Sequence, residues 1–240
     1  MSCIFITGTG TEIGKSFLTC QLLRLDQLHH QVFEACKPVI TGWPVESSDV
    51  ALTDTGLILA AQNLPLSPAN IDACTPWRYP LPLTPAMAAI DKPLIFGDLV
   101  TYCREKIKSA QQNNHHVLIE GAGGLMSPFT RQYTGLDLIS ALEAKSILVI
   151  GGYLGAISHA LTALEALKTR SQQLSAVVLN PGLTGSPVDI LDMADCLQAF
   201  LGDCPLFILN SPKSVHDLYL YLLKGTVFKQ NTPDLRGKNN

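Results

Sequence analysis

The sequence contains few charged residues and no long apolar run. Asp, Glu, Lys and Arg make up only 15% of the 240 residues, 47% are apolar, and the formal net charge is -3. This near-neutral balance excludes the strongly basic surface that is typical of nucleic-acid-binding proteins. No apolar run reaches the ~20 residues that a membrane span needs. We therefore expect neither nucleic acid nor membrane among its partners.

The sequence also lacks a cysteine framework. Its seven cysteines include no Cys-x-x-Cys pair, and an odd number without such spacing indicates reduced thiols rather than disulfides. No structural zinc site is visible in this pattern. Because the chain begins almost directly with a strand-like stretch, we expect no signal peptide. Together these features predict a cytoplasmic protein.

Residues 3–16 contain the most informative pattern. Cys3 to Ile6 are apolar and mostly β-branched or aromatic, which predicts a buried strand, and a helix is predicted from Phe17 onwards. Between them a glycine-containing turn ends in Gly-Lys-Ser, the layout of a phosphate-binding loop. In such a loop Lys15 would bridge the β- and γ-phosphates, and the hydroxyl of Ser16 would bind Mg²⁺.

A second lysine, Lys37, lies near the end of the second predicted strand (residues 31–38), just before Pro38. One interpretation is a lysine that simply reaches water at the end of a strand. In an open α/β sheet, however, the carboxyl ends of the strands face the ligand crevice. This position favours a contact between Lys37 and phosphate.

The region after this strand offers two carboxylates for a metal ion. Ser47 and Ser48 are N-cap candidates for a helix that we expect to run from Asp49 towards Gln62. Asp49 would lie in its first turn, where it either stabilises the helix dipole or binds a metal ion. Asp54 is the alternative metal ligand.

Glu120 ends another predicted buried strand (residues 116–120), and Gly-Ala-Gly-Gly follows it. An acid in this position downstream of a phosphate-binding loop suits Mg²⁺ binding or the organisation of water. The alternative is a capping acid before a flexible turn. The run of small residues indicates that another group approaches this backbone closely.

Strands and helices alternate along almost the whole chain. This order predicts an α/β fold, a doubly wound and mainly parallel sheet of about seven strands flanked by helices, like that of P-loop NTPases. Prolines interrupt residues 63–93, where we expect a long loop with a short strand near residues 71–75 and a short helix from Thr84. We expect residues 1–225 to form a single domain and residues 226–240 to form a partly disordered tail.

The order of the motifs resembles the dethiobiotin synthetase family. The matching stretches are Gly-Thr-Gly-Thr-Glu-Ile-Gly-Lys-Ser, Lys-Pro-Val-Ile-Thr-Gly, Ser-Asp-Val-Ala-Leu, Glu-Gly-Ala-Gly-Gly, Leu-Gly-Ala-Ile-Ser-His and Val-Leu-Asn. The resemblance implies a homodimeric ligase of biotin biosynthesis that uses ATP, Mg²⁺ and CO₂. Such an enzyme closes a cyclic urea on 7,8-diaminononanoate through a carbamate and a carbamic-phosphoric anhydride.

The resemblance also implies roles for individual residues. The catalytic residues would be Thr11, Glu12, Lys15 and Lys37. The nucleotide would contact Gly10, Thr11, Glu12, Ile13, Gly14, Lys15, Ser16, Phe17, Glu120, Gly121, Ala122, Gly123 and Asn180, the last through the base. Mg²⁺ would be bound by Ser16, Asp49 and Glu120. The substrate would contact Thr41 and, from the neighbouring subunit, the turn Gly155, Ala156, Ile157 and Ser158.

Three other classes share parts of this pattern. Partitioning or septum-site ATPases have the same fold but carry a second lysine early in the loop, where this chain has Gly8, Thr9 and Gly10. Amidating synthetases of the cobyrinate type usually need a glutaminase domain that this length does not hold. Small-molecule kinases usually have an arginine-rich lid, whereas the arginines here are dispersed.

Overall fold

The structure is a computed structural model that describes residues 3–182 and 189–227. Its strands are β1 (Cys3–Gly8), β2 (Phe33–Cys36), β3 (Val39–Thr41), β4 (Trp77–Tyr79), β5 (His116–Glu120), β6 (Lys145–Gly151), β7 (Leu174–Asn180) and β8 (Leu206–Ile208). Its α-helices are α1 (Lys15–Leu28), α2 (Asp54–Ala61), α3 (Pro68–Cys74), α4 (Pro85–Ala88), α5 (Phe96–Gln112), α6 (Gly135–Leu142), α7 (Ala156–Thr169), α8 (Ile190–Leu201) and α9 (Pro212–Val227). A 3-10 helix spans Ser47–Leu52.

Six strands form one parallel sheet in the order β2-β5-β1-β6-β7-β8. Strands β3 and β4 pair separately as a small parallel sheet. The predicted parallel α/β architecture is confirmed, with six strands in the central sheet rather than about seven. Because all six strands run the same way, the carboxyl ends of β1, β2, β5 and β7 meet at one edge of the sheet, where ligands bind in open α/β folds.

The centre of the sheet is buried on both faces. Every residue of β1 is buried, as are the last four residues of β5 and the last six of β6. These strands are nearly continuous apolar runs because helices cover both faces, so neither face needs polar residues. The rigid centre therefore supports the loops that follow β1 and β5.

The helix predicted from Asp49 towards Gln62 with Ser47 or Ser48 as its cap is wrong. Residues 47–52 form the 3-10 helix instead, and α2 begins only at Asp54. Thr53 is the N-cap, and its hydroxyl accepts a hydrogen bond from the backbone N–H of Gly56 at 3.2 Å. Asp49 and Asp54 consequently lie in two different helical elements rather than on one helix.

The short strand predicted near residues 71–75 is also wrong. Residues 71–74 belong to α3 and Thr75 is its C-cap, because Ser67 caps the start of this helix through the backbone N–H of Asn70 and Pro68 occupies its first turn. The strand of this region is β4, a few residues later. The short helix expected from Thr84 is confirmed as α4.

At the end of the chain, α9 continues to Val227, beyond the predicted domain boundary at residue 225. The rest of the predicted tail, residues 228–240, lies outside the described residues. Within the described parts of the chain, no helix has both the length and the apolar character to cross a membrane.

Candidate functional site

The loop between β1 and α1 has the geometry expected of a phosphate-binding loop. Gly14 is the N-cap of α1 and adopts a left-handed φ of 99°, a conformation that favours glycine. A Cβ atom at this position would lie 2.1 Å from Nδ2 of Asn180, so a larger residue would also collide. Lys15 is buried, and its Nζ donates to the carbonyl of Gly10 at 2.6 Å.

The glycine segment after β5 packs directly against this loop. The backbone N–H of Leu125 donates to the carbonyl of Gly8 at 2.7 Å. A Cβ atom added to Gly124 would lie 3.2 Å from the backbone nitrogen of Gly10. The close backbone approach predicted from this run of small residues is thus present, and the approaching segment is the phosphate-binding loop itself.

A buried ionic cluster lies at the carboxyl ends of β2 and β5. Oε1 of Glu120 accepts from the hydroxyl of Ser16 at 2.6 Å and from Nζ of Lys37 at 2.6 Å. The same Nζ lies 2.8 Å from Oδ2 of Asp54. The side chain of Lys37 is 6% exposed and that of Glu120 is completely buried, whereas Asp54 is 37% exposed. Lys37 therefore joins an internal carboxylate to one that reaches solvent.

The cluster contains one further hydroxyl, that of Thr19, which was not among the predicted site residues. The hydroxyl of Thr19 lies 2.8 Å from Oε2 of Glu120, and the residue is completely buried. Thr19 follows Ser16 by three positions and Lys15 by four, and residues with this spacing share one face of a helix. That spacing was the available signal in the sequence.

The two lysines experience different environments. Burial, followed by the charge of Lys37, lowers the pKa of Lys15 to about 8. Burial acts on Lys37 in the same direction, but the charges of Glu120 and Asp54 outweigh it and raise the pKa of Lys37 above its usual value. The cluster thus keeps Lys37 as a cation beside the phosphate-binding loop.

Asp54 remains ionised in the same cluster. Burial alone would raise its pKa, but the positive charge of Lys37 and the hydrogen bond from Lys37 hold the pKa of Asp54 below its usual value. Ser16, Glu120 and Asp54 therefore offer one hydroxyl and two carboxylates. These are hard oxygen ligands, and this donor set fits Mg²⁺, which commonly uses one or two carboxylates together with water and phosphate oxygens.

Asp49, the carboxylate predicted for Mg²⁺, is exposed in the 3-10 helix. Asp54, its alternative, is the one that forms the ion pair with Lys37. The structure thus brings Ser16, Lys37 and Glu120 together as predicted and adds Asp54 to them. The assignment of Asp49 to Mg²⁺ stays a prediction.

The other predicted residues of the phosphate-binding loop, and Thr41, differ in their exposure. Thr11 and Glu12 are exposed, and Glu12 has a positive φ of 58°. Ile13 is buried under the loop, whereas Phe17 on the first turn of α1 is 49% exposed. Thr41 ends β3 and is half-buried. Thr11, Glu12 and Phe17 are therefore open to a ligand above the loop.

Asn180 at the end of β7 braces the phosphate-binding loop. Its Nδ2 donates to the carbonyl of Ile13 at 2.9 Å, and its Oδ1 accepts from the backbone N–H of Gly182 at 3.3 Å. The carboxamide is thus oriented by the protein at the edge of the site. Its predicted contact with a nucleotide base stays a prediction.

The turn before α7 lies on the surface. Gly155 is its N-cap, with a left-handed φ of 93°, and both Gly155 and Ser158 are exposed. Ala156 is buried and Ile157 is half-buried. The first N–H groups of a helix that begins in this way can bind an anion if a ligand or a neighbouring subunit brings one there.

The parallel sheet, the glycine loop with Lys15 and Ser16, and Glu120 at the end of β5 define a P-loop nucleotide-binding α/β protein. Solved structures with a similar fold include a plasmid partition protein from Borrelia burgdorferi, with a TM-score of 0.54, 11% identity and coverage of 93% of this chain and 98% of that one. The MinC:MinD cell division protein complex from Aquifex aeolicus gives a TM-score of 0.52, 16% identity and coverage of 92% and 86%. At these identities the likeness shows the fold alone.

Sequence relatives narrow this class. The model of the AAA domain family matches residues 2–198. The ATP-dependent dethiobiotin synthetase BioD of Methylobacterium nodulans is 44% identical, over 80% of this chain and 87% of the relative. The protein of the same name from Caulobacter sp. strain K31 is 38% identical, over 87% of both chains. The chain belongs to the ATP-dependent dethiobiotin synthetase family, which confirms the resemblance found in its motifs.

Proposed function

We propose that this protein is an ATP-dependent dethiobiotin synthase, a cytoplasmic ligase of biotin biosynthesis. It would close a cyclic urea on 7,8-diaminononanoate with CO₂, at the expense of ATP. The observation that carries this proposal is the pair of buried lysines, Lys15 in the loop and Lys37 beside Glu120, in a chain of this family. This pair would supply positive charge in the phosphate-binding loop and at the adjacent end of β2.

The reaction needs that charge at each stage. One amine of the diamine attacks CO₂ and loses a proton, which gives a carbamate. A carbamate oxygen then attacks the γ-phosphorus of ATP, the bond to ADP breaks, and a carbamic-phosphoric anhydride forms. The second amine attacks the carbonyl carbon, loses a proton and expels inorganic phosphate, which leaves the cyclic urea. Negative charge thus accumulates around the transferred phosphoryl group.

Lys15 and Lys37 would neutralise this charge. Both are buried and therefore act in a low-dielectric site, where a fixed charge has a larger effect than in water. Lys37 is held as a cation by Glu120 and Asp54 and lies where its strand reaches the ligand edge of the sheet. Thr11 and Glu12, exposed on the loop, would contact the reacting groups.

Ser16, Glu120 and Asp54 would hold Mg²⁺, with Asp49 as the alternative carboxylate predicted from the motif. When bound, the ion would offset the charge of the phosphate oxygens. We favour Asp54 because it lies close to Glu120. Nζ of Lys37 is within 2.8 Å of one carboxylate oxygen from each residue, Oδ2 of Asp54 and Oε1 of Glu120. Two carboxylates that share one cation are close enough to share another.

The nucleotide would lie along the loop from Gly10 to Phe17 and against Gly121, Ala122 and Gly123, with its base near Asn180. Thr41 would contact the carbamate. We further propose a homodimer in which the turn from Gly155 to Ser158 binds the substrate carboxylate of the partner subunit. Exposure of this turn and its position at a helix N-terminus support that role.

Two measurements test the reaction. One is the release of inorganic phosphate, and the other is the detection of dethiobiotin by mass spectrometry. The purified protein is given 7,8-diaminononanoate, bicarbonate, ATP and Mg²⁺, and each component is omitted in turn. We expect equal amounts of phosphate and dethiobiotin in the complete mixture and neither without any one component. Phosphate release that does not depend on the diamine would contradict the proposal.

The shared site is tested by mixing two inactive variants, Lys15→Ala and Ser158→Trp, through co-expression. Ser158 is preferred to Gly155 because the φ of 93° at Gly155 would strain any larger residue. If sites are shared, random mixing gives about half hybrid dimers with one intact site of two, so roughly a quarter of wild-type activity should return. Proven hybrids without activity would place the whole site within one chain.

A further inference from the structure

The carboxylate of Glu120 is held differently at its two oxygens. Oε1 accepts from Ser16 and Lys37, the two groups that face the ligand edge of the sheet. Oε2 accepts from the hydroxyl of Thr19 at 2.8 Å, on the inner side of the cluster. Since Glu120 has a completely buried side chain, water does not compete for its oxygens.

The Thr19 hydroxyl has one proton and two acceptors within reach. Besides Oε2 of Glu120, the carbonyl of Lys15 lies at 3.0 Å, one helical turn back. The charged carboxylate oxygen of Glu120 is a stronger hydrogen-bond acceptor than the backbone carbonyl of Lys15, which can also accept a hydrogen bond within the helix. The shorter distance and the stronger acceptor both favour donation to Glu120.

We propose that Thr19 is a positioning residue for metal binding, because its hydrogen bond fixes the rotation of the Glu120 carboxylate and keeps Oε1 directed at Ser16 and at the metal position. This inference rests on the proposed role of Ser16 and Glu120 as Mg²⁺ ligands. Residues that orient a ligating carboxylate or imidazole typically contribute 10- to 100-fold to metal affinity or activity.

Removal of the hydroxyl should therefore change metal binding more than folding. In Thr19→Val the side chain keeps its shape, but Oε2 loses its donor and the carboxylate is free to rotate towards Ser16 or Lys37. Oε1 is then no longer held in one direction. In Thr19→Ser the hydroxyl remains and the carboxylate should stay oriented.

The test measures binding of Mn²⁺, as a paramagnetic replacement for Mg²⁺, by electron paramagnetic resonance in the presence of the non-hydrolysable analogue adenylyl imidodiphosphate. We expect Thr19→Val to weaken Mn²⁺ binding about 10- to 100-fold. Thr19→Ser should stay within about threefold of the wild type, since it keeps the donor.

Ser146→Ala is the matched control. Ser146 is completely buried, and its hydroxyl donates to the carbonyl of Gln173 at 3.2 Å, near the amino end of β6 and therefore at the opposite edge of the sheet. The Ser146→Ala substitution should lower thermal stability by about as much as Thr19→Val does, without changing the affinity for Mn²⁺. No diamine is present, so a failure of the proposed ligase activity leaves this measurement unaffected and is detected separately by phosphate release.

Two outcomes would overturn the inference. One is a folded Thr19→Val protein with wild-type Mn²⁺ affinity. The other is a Thr19→Ser protein that binds Mn²⁺ as weakly as Thr19→Val, since the hydroxyl would then not be the cause. If Thr19→Val does not fold, Thr19→Ala takes its place under the same criteria.

Discussion

Two buried carboxylates lie near opposite ends of α1 and are held in different ways. Near the first turn, Glu120 accepts from the side chains of Ser16, Thr19 and Lys37. In the last turn, Asp26 accepts from the backbone N–H of Phe33 at 2.7 Å and from the hydroxyl of Tyr219 at 2.9 Å. Both side chains are out of contact with water, so burial alone does not distinguish them.

The difference lies in the donors. Asp26 is bound by a backbone amide and by an aromatic residue that is itself completely buried, so its partners have little freedom to move. It joins α1 to the start of β2 and to α9. At Glu120, by contrast, Oε1 is bound by Lys37 and the Ser16 hydroxyl near the ligand edge of the sheet, where a bound ion or phosphate can rearrange them, and only Oε2 is bound from the inner side, by Thr19. We therefore expect the Glu120 cluster to serve the reaction and the Asp26 contacts to serve stability.

The largest expected effect is at Lys37. Lys37→Gln keeps a donor for Glu120 but removes the positive charge beside the loop, and we expect the turnover number to fall about 10³-fold, which is ~4 kcal/mol. Steady-state phosphate release measures it. Lys145→Gln, at the amino end of β6, is the control and should keep full activity. A Lys37→Gln protein with wild-type turnover would show that the Glu120 cluster does not serve the reaction through the charge of Lys37.

Asp26→Asn should have the next largest effect, and on stability alone. A neutral amide accepts a weaker hydrogen bond from Phe33 and Tyr219, so the free energy of unfolding should fall by ~2 kcal/mol. Urea unfolding measures this change, and turnover at low temperature should match the wild type. Lost turnover in a fully folded variant would show that this carboxylate also reaches the active site.

Asp54→Asn should raise the Mg²⁺ concentration for the half-maximal rate about tenfold, or ~1.4 kcal/mol, because one carboxylate of the cluster loses its charge. Asp49→Asn should change it less. The measurement is the rate of phosphate release over a Mg²⁺ titration at saturating ATP. A larger change for Asp49→Asn than for Asp54→Asn would support Asp49, the carboxylate predicted from the sequence motif, as the Mg²⁺ ligand.

Tyr219→Phe should have the smallest effect. It removes a neutral donor from Asp26 and keeps the ring that packs against Phe33, with the two ring centres 6.0 Å apart. The expected loss is ~1 kcal/mol in the free energy of unfolding, with unchanged turnover. A loss as large as that of Asp26→Asn would mean that Tyr219 accounts for the whole stabilising role of this carboxylate.

The placement of the candidate site residues was predictable where local sequence decides structure. The strand before Gly8, the Gly-Lys-Ser that opens α1, and Glu120 at the end of a buried strand follow from apolar periodicity and glycine placement. The second lysine was predictable because parallel strands end at a common edge. The helix predicted from Asp49 failed because Ser47, Ser48 and Thr53 are all good N-caps, and the sequence alone does not say which of them starts a helix.

The sequence by itself thus determined the parallel α/β fold, the phosphate-binding loop and the family. Three contacts were decided only by the tertiary structure: the ion pair of Lys37 with Asp54, the hydrogen bond of Thr19 to Glu120, and the hydrogen bond of Tyr219 to Asp26. The physical reason is chain separation: the Thr19–Glu120 and Asp26–Tyr219 contacts join positions 101 and 193 residues apart. Periodicity and capping describe neighbours along the chain, whereas these contacts depend on how strands and helices pack.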